Sequence, residues 1–136
     1  MPTLATAART AACDAIVDLL DQPGGAGSGT GQLLVTDTAG GGGTTIATIA
    51  LNATAFGAAS SGVATLVVSP ALSATASSTG TVAGFALQSD SGGTPTTVIS
   101  GTLSDTGSPD IDIDNADVTS GQTVNLNAIT VTVPAS

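Results

Sequence analysis

The sequence predicts a mainly β protein, an antiparallel β-sandwich or jelly roll led by one N-terminal α-helix. Three observations carry that prediction. Residues 4–21 hold no glycine or proline and are rich in Ala and Leu, the best helix formers. From residue 33 onward, short apolar runs recur between Gly, Ser and Asp clusters at the spacing of sandwich strands. No helical pattern separates those runs, which disfavours a parallel sheet with crossover helices. At 136 residues the chain has room for one domain, with the helix (1–22) and the sandwich (23–136) as a single folding unit.

Taken in order, the first element is amphipathic. At 100° per residue Leu4, Ala5, Ala8, Ala12, Ala15, Ile16 and Leu19 fall on one face, with Thr10, Asp14, Asp18 and Asp21 opposite. The first set is expected to be buried and the second solvated. Thr3 is the expected N-cap, and Pro23-Gly24-Gly25 is a strong stop. Residues 24–31 (GGAGSGTG) and 40–43 (GGGG) read as flexible loops flanking a short strand at 33–36. Further strands are expected at 45–51, 62–68, 81–88, 96–103, 110–114 and 123–133.

Several of these alternate as half-buried strands do. Ala83, Phe85 and Leu87 share one face, and Ile111 and Ile113 point inward while Asp110, Asp112 and Asp114 point to water. In the last segment Val124 and Leu126 have one parity and Ile129, Val131 and Val133 the other. That switch at Asn127-Ala128 predicts a bulge or a bend between sheets.

Ala, Thr, Gly and Ser fill 78 of the 136 positions, and Phe56 and Phe85 are the only aromatic residues. Leu, Ile, Val and Phe still number 31, above the roughly 20% below which charged chains stay disordered, so a fold is expected. Its core must be thin. At roughly 25 cal/mol per Å² of apolar surface such a core stabilises modestly, and association between subunits is an expected supplement.

What the chain lacks excludes whole classes of chemistry. It has no His, Lys, Glu, Tyr or Trp, a single Arg (Arg9) and a single Cys (Cys13), and its ten acidic residues are all Asp, for a net charge of −9. Ser-His-Asp and Cys-His relays, lysine Schiff bases and zinc sites all need residues that are absent. Nucleic acid binding is disfavoured for want of basic clusters and aromatic platforms. No cofactor is expected. A secretory signal would need a basic start and an unbroken apolar stretch, whereas Asp14 and Asp18 interrupt the helix, which is also too short and charged to span a bilayer.

The row Asp110, Asp112, Asp114, Asp117 is the one candidate metal site, since carboxylates at spacing two can converge on a hard cation such as calcium. It departs from the EF-hand pattern: Asn115 stands where the sharp turn needs Gly, and Gly121 where the bidentate Glu belongs. Same-face residues of a strand also stand about 7 Å apart and need neighbouring loops to share an ion. The competing reading, a charged edge that blocks edge-to-edge pairing, is favoured. A calcium-dependent carbohydrate-binding module built on these four residues is disfavoured by the missing Trp and Tyr.

Weaker signals resolve the same way. Asp37-Thr38-Ala39 and Asp105-Thr106-Gly107 have the texture of aspartic-protease triplets, but the second lacks apolar flanks. The 24–31 loop has no Walker lysine and precedes a strand, so it reads as a linker. Asn52-Ala53-Thr54 matches a glycosylation sequon by chance in a Thr-rich chain, and Cys13 reads as a small packing residue.

The opening TLATAARTAACDAIVDLLD, the middle LNATAFGAASSGVATLVV and the close QTVNLNAITVTVPAS resemble small virion structural proteins of tailed bacteriophages, encoded among head and tail genes. The likeness covers nearly the whole chain and rests on an Ala, Thr and Gly texture around residues 55–65. One departure is the short, glycine-filled 37–44 loop, where relatives carry a longer polar segment. The resemblance implies a non-enzymatic virion component, in first place a capsid decoration or cement protein that binds the major capsid protein as a dimer or trimer. It would assemble in the host cytoplasm and sit on the capsid surface. A tail or fibre component is the alternative.

Overall fold

The computed structural model describes residues 2–21, 31–89, 94–108, 110–113 and 115–135. The protein is mainly β, a β-sandwich-like fold with one N-terminal helix. Helix α1 (Thr6–Val17) runs into a 3₁₀ turn (Asp18–Leu20). The strands that follow are β1 (Gln32–Thr38), β2 (Gly42–Ala50), β3 (Val63–Thr65), β4 (Leu72–Thr75), β5 (Gly80–Thr81) and β6 (Gly84–Ser89). Then come β7 (Thr96–Ser104), β8 (Ile111–Asp112), β9 (Asp117–Val118), β10 (Thr123–Leu126) and β11 (Thr130–Thr132).

One five-stranded sheet, in the order β2-β1-β6-β7-β8, forms the main layer. Its first four strands pair antiparallel, while β8 adds to β7 in parallel through Leu103↔Ile111 and Ser104↔Asp112. Among the described residues, three two-stranded ladders, β4-β10, β3-β11 and β5-β9, accompany it. The sheet, the ladders and the helix share one core, to which Leu33, Val35, Ile46, Ile49, Phe56, Phe85, Leu87 and Leu126 contribute. Central strand β6 is buried on both faces, because the turn at residues 39–41 folds over Ala86.

Most of the expected strands stand where the apolar runs placed them. The 81–88 run divides into β5 and β6 at Val82-Ala83, whose N–H groups donate to Ala116 and Thr36 carbonyls outside either strand. The 123–133 run bends at Asn127-Ala128, and its halves pair with different partners, β10 with β4 and β11 with β3. That is the parity switch made structural. Strands β4 and β9 carry too little apolar sequence to have been anticipated.

Three expectations about local structure fail. Helix α1 starts from Ala5, which makes no side-chain cap bond, and Thr3 lies exposed before it. The GGGG segment is an ordered turn that enters β2. Gly40, Gly41 and Gly43 all take positive φ, and a side chain on Gly43 would collide with Asp37 and Thr38.

The largest correction concerns the helix. The core receives Cys13, Val17 and Leu20, whereas Leu4, Ala5, Ala8, Ala15 and Leu19 are exposed and Ala12 and Ile16 half-buried. Thr10, Asp14 and Asp21, expected in water, face the protein. Asp14 Oδ1 accepts from the Ala59 N–H at 2.6 Å, Asp21 Oδ1 from the Ala55 N–H at 2.7 Å, and Thr10 Oγ1 from the Gly62 N–H at 3.1 Å. These N–H groups lie in the irregular stretch between β2 and β3, where the strand ladders leave donors to be satisfied by side chains. Satisfying those donors outweighs burying the alanine face. The Pro23-Gly24-Gly25 stop lies outside the described residues, as does nearly all of the 24–31 loop.

Candidate functional site

Asp110 and Asp117, the two members of the acidic row whose side chains are described, engage different parts of the fold. Asp110, exposed, follows β7 and folds back on it: its Oδ2 accepts from the Thr102 backbone N–H at 2.8 Å and from Thr102 Oγ1 at 2.9 Å. Those hydrogen bonds hold its carboxyl below the usual carboxylate range. Gly101 makes the approach possible, since a Cβ there would press on both Asp110 and Phe85. Asp117, also exposed, accepts instead from Thr81 Oγ1 at 2.6 Å across the β5-β9 ladder. Asp112 lies in β8, but its side chain is outside the described residues, and so is Asp114. Among the described residues, no group of three or more His, Cys, Asp or Glu side chains is placed to hold a metal ion.

The other acidic motifs serve loops. Asp37 Oδ1 accepts from the Thr44 N–H at 2.7 Å and from Thr38 Oγ1 at 3.1 Å, closing the β1-β2 turn, and these bonds lower its pKa. Asp105 Oδ2 accepts from the Ala116 N–H at 3.2 Å. Each carboxylate of the two protease-like triplets is thus engaged with backbone, Asp37 at its own turn and Asp105 across to the β8-β9 connection. The Asn52 amide of the sequon donates to the Val67 and Pro70 carbonyls at 2.8 and 3.2 Å, tying the chain after β2 to the chain after β3. Burial pushes the Cys13 thiol up, and its Sγ lies 3.6 Å from the Val131 carbonyl oxygen.

Two apolar features open to solvent. A cleft of about 360 Å³ opens between the main sheet, at Leu33, Val35 and Ile49, and the β8-to-β10 region. Its walls are aliphatic and its rim carries the amides of Asn115, Gln122, Asn125 and Asn127, so it offers apolar burial and neutral hydrogen bonds. The second surface is the outer side of α1. Leu4, in the extended segment before the helix, is 51% exposed and Leu19, in the 3₁₀ turn after it, 58% exposed, with Ala8, Ala11 and Ala15 exposed on the helix between them. Beside this ridge runs a shallow groove lined by Ile16, Val98, Val131 and Val133. Arg9, the only cation, packs its stem against Gly62, and its Nε is buried with no hydrogen-bond partner among the described residues.

Comparison with protein-family models, curated proteins and solved structures finds no match to this chain. Helical periodicity had already grouped most of the ridge, Leu4, Ala8, Ala15 and Leu19, though as a buried face. The cleft had no sequence signal, because its walls come from β1, β2, β8 and β10 and meet only in the fold. No helix among the described residues is long and apolar enough to cross a membrane.

Proposed function

We propose that this chain is a non-catalytic structural protein of a tailed-bacteriophage virion, acting as a decoration or cement protein on the assembled head. One observation carries the reading: the polar side chains hold loop backbone, while an apolar ridge on α1 stands in solvent. Such a surface is suited to adhesion, and the chain has little with which to do chemistry. The texture shared with phage head and tail proteins supplies the setting, and the major capsid protein is the proposed partner.

The mechanism is mass action. A protein that binds the expanded shell, and not its free subunits, lowers the free energy of the shell and opposes the pressure of packaged DNA. Ten aspartates and one arginine keep the outward surface hydrated and acidic.

Mixing the purified chain with expanded, undecorated heads and measuring co-sedimentation tests the reading. Saturable binding at a fixed number of copies per shell, with heads that resist heat or osmotic shock better, is the expected result. Retention on tails with none on heads would replace it with a tail or fibre role.

A further inference from the structure

We propose that the cleft between the main sheet and the β8-to-β10 region binds an uncharged aliphatic molecule that ends in an oxygen acceptor, such as a medium-chain alcohol or ester. This would be a property of the chain independent of any role on a phage head.

The walls select the body of the ligand. Leu33, Val35 and Ile49 of the main sheet close the inner end, and all three are almost fully buried. Ile113 and Val124, half-buried, form the sides, and Ala128, exposed, forms the lip. Neither of the two phenylalanines lines the cleft, so it offers no stacking face to a flat ring. A chain of methylenes suits walls of this kind. Size narrows the choice further. The cleft holds about 360 Å³, and an apolar cavity of about 150 Å³ accommodates the six carbons of benzene, so roughly 14 atoms of that size fit. That number favours one medium-length chain over the paired long chains of a membrane lipid.

The mouth selects the head. It carries the exposed amides of Asn115, Gln122, Asn125 and Asn127, and two of these are tied down by their oxygens. Asn115 Oδ1 accepts from the Asp117 N–H at 3.0 Å, and Gln122 Oε1 accepts from the Thr119 N–H at 3.1 Å. A backbone N–H can only donate, so these bonds fix which end of each amide is oxygen and leave Nδ2 and Nε2 to donate. The matching head is an acceptor, a hydroxyl or carbonyl oxygen. A charged acceptor is disfavoured by the surrounding field. Arg9, the chain's only cation, packs against Gly62 and lines neither wall nor mouth. Asp117 stands two residues from Asn115, and a net charge of −9 repels carboxylates and phosphates.

The site is also held in place by pairing on both sides. Strands β1 and β2 pair along their length, and β10 is fixed to β4 with Val124 opposite Ala74 and Leu126 opposite Leu72. Binding between two layers that are each already paired does not have to order a loop.

Titration of the full chain with 1-decanol, followed through the methyl resonances in NMR spectra, tests the proposal. Saturable binding is expected with a Kd on the order of 10–100 μM, and with shifts concentrated at Leu33, Val35, Ile113 and Val124. From 1-hexanol to 1-decanol, each added methylene should tighten binding about fourfold. Decanoate at neutral pH should bind at least ~tenfold more weakly than 1-decanol. Ala128→Trp fills the mouth and is expected to weaken 1-decanol binding at least ~tenfold. Gln122→Glu keeps an oxygen for the Thr119 N–H but removes the donor, for a loss of roughly two- to tenfold. Both positions are exposed, so both variants should melt within a few degrees of the wild type, which separates a blocked site from a lost fold.

No saturable binding up to the solubility limit of 1-decanol, or an alcohol series of equal affinities, overturns the proposal. Shifts centred on the groove of Ile16, Val98 and Val131, or binding unmoved by Ala128→Trp, overturns the placement in the cleft. Decanoate binding as tightly as 1-decanol overturns the uncharged head, and indifference to Gln122→Glu overturns its contact with the amides. A chain that binds 1-decanol but no heads sinks the decoration reading and leaves this one standing.

Discussion

At the scale of single residues, stability depends on carboxylates and hydroxyls that accept from backbone N–H groups. Asp14 is the clearest case, since the Ala59 N–H it accepts from is part-buried. Asp14→Ala leaves that donor without its partner and is expected to cost about 1–3 kcal/mol in chemical denaturation. Asp14→Asn keeps an acceptor oxygen and should cost less; equal losses from both would show that charge, and not acceptance, is what matters. Asp37 and Asp110 contribute to the pH dependence of the fold. Both pKa values are lowered by hydrogen bonds in the folded state, so the native protein binds fewer protons than the unfolded chain. Their stabilisation is therefore fully present above the unfolded carboxylate pKa of about 3.9 and is lost as pH falls through the lower folded values. Melting temperature is expected to fall steeply below about pH 4 in the wild type, and less steeply in Asp37→Asn. A parallel pH profile in the two proteins would remove Asp37 as a source.

At the scale of elements, the docking of α1 is the sharpest test of the fold. Leu19 and Leu20 are neighbours in sequence with opposite environments, 58% and 0% exposed. Leu20→Ala is expected to destabilise by about 2–5 kcal/mol, while Leu19→Ala stays within about 0.5 kcal/mol under conditions where the chain is monomeric. Equal losses would mean that the helix sits differently. Periodicity located this helix but turned it around, for a physical reason: a hydrophobic wheel scores Thr10, Asp14 and Asp21 as solvent-loving and has no means of seeing that residues 55–62 leave backbone donors to satisfy. Strand positions were legible because apolar runs between Gly, Ser and Asp clusters mark strands, although the alternation at 83–87 leaves no trace in burial, since residues 84–87 are all buried. The ladder β4-β10 was half-legible, since Leu72–Thr75 offers one buried leucine and little pattern. The acidic row was legible only as charge: no strand period foretells that Asp110 folds back onto Thr102 while Asp117 reaches Thr81. The 40–43 turn was misread because four glycines suggest freedom, yet Gly43 packs its bare Cα against Asp37 and Thr38 at φ 70°. Gly43→Ala should therefore destabilise by more than about 1 kcal/mol. Gly107→Ala, with φ 85° and open space, should cost only the backbone strain, roughly 1 kcal/mol.

At the scale of the molecule, charge is one-sided. With ten Asp, one Arg and no Lys, added salt has almost no attractive ion pairs to weaken and many repulsive pairs to screen. The screening length falls from roughly 30 Å at 0.01 M to a few Å at high salt, so sodium chloride is expected to raise the melting temperature by a few degrees before levelling off. The opposite trend would require attractive charge contacts that the sequence does not supply. The same titration decides how the acidic residues are used. If they act as diffuse charge, calcium and magnesium chloride at equal ionic strength should stabilise alike, because screening does not distinguish the two ions. A saturable rise with calcium alone, abolished by Asp110→Asn or Asp117→Asn, would instead require the carboxylates of 110–117 to gather around an ion. Asp110 and Asp117 would then have to leave Thr102 and Thr81, exchanging hydrogen bonds of 2.8 and 2.6 Å for metal ligation. Those bonds hold them on separate strands, and the expected calorimetric outcome is equal melting in the two salts.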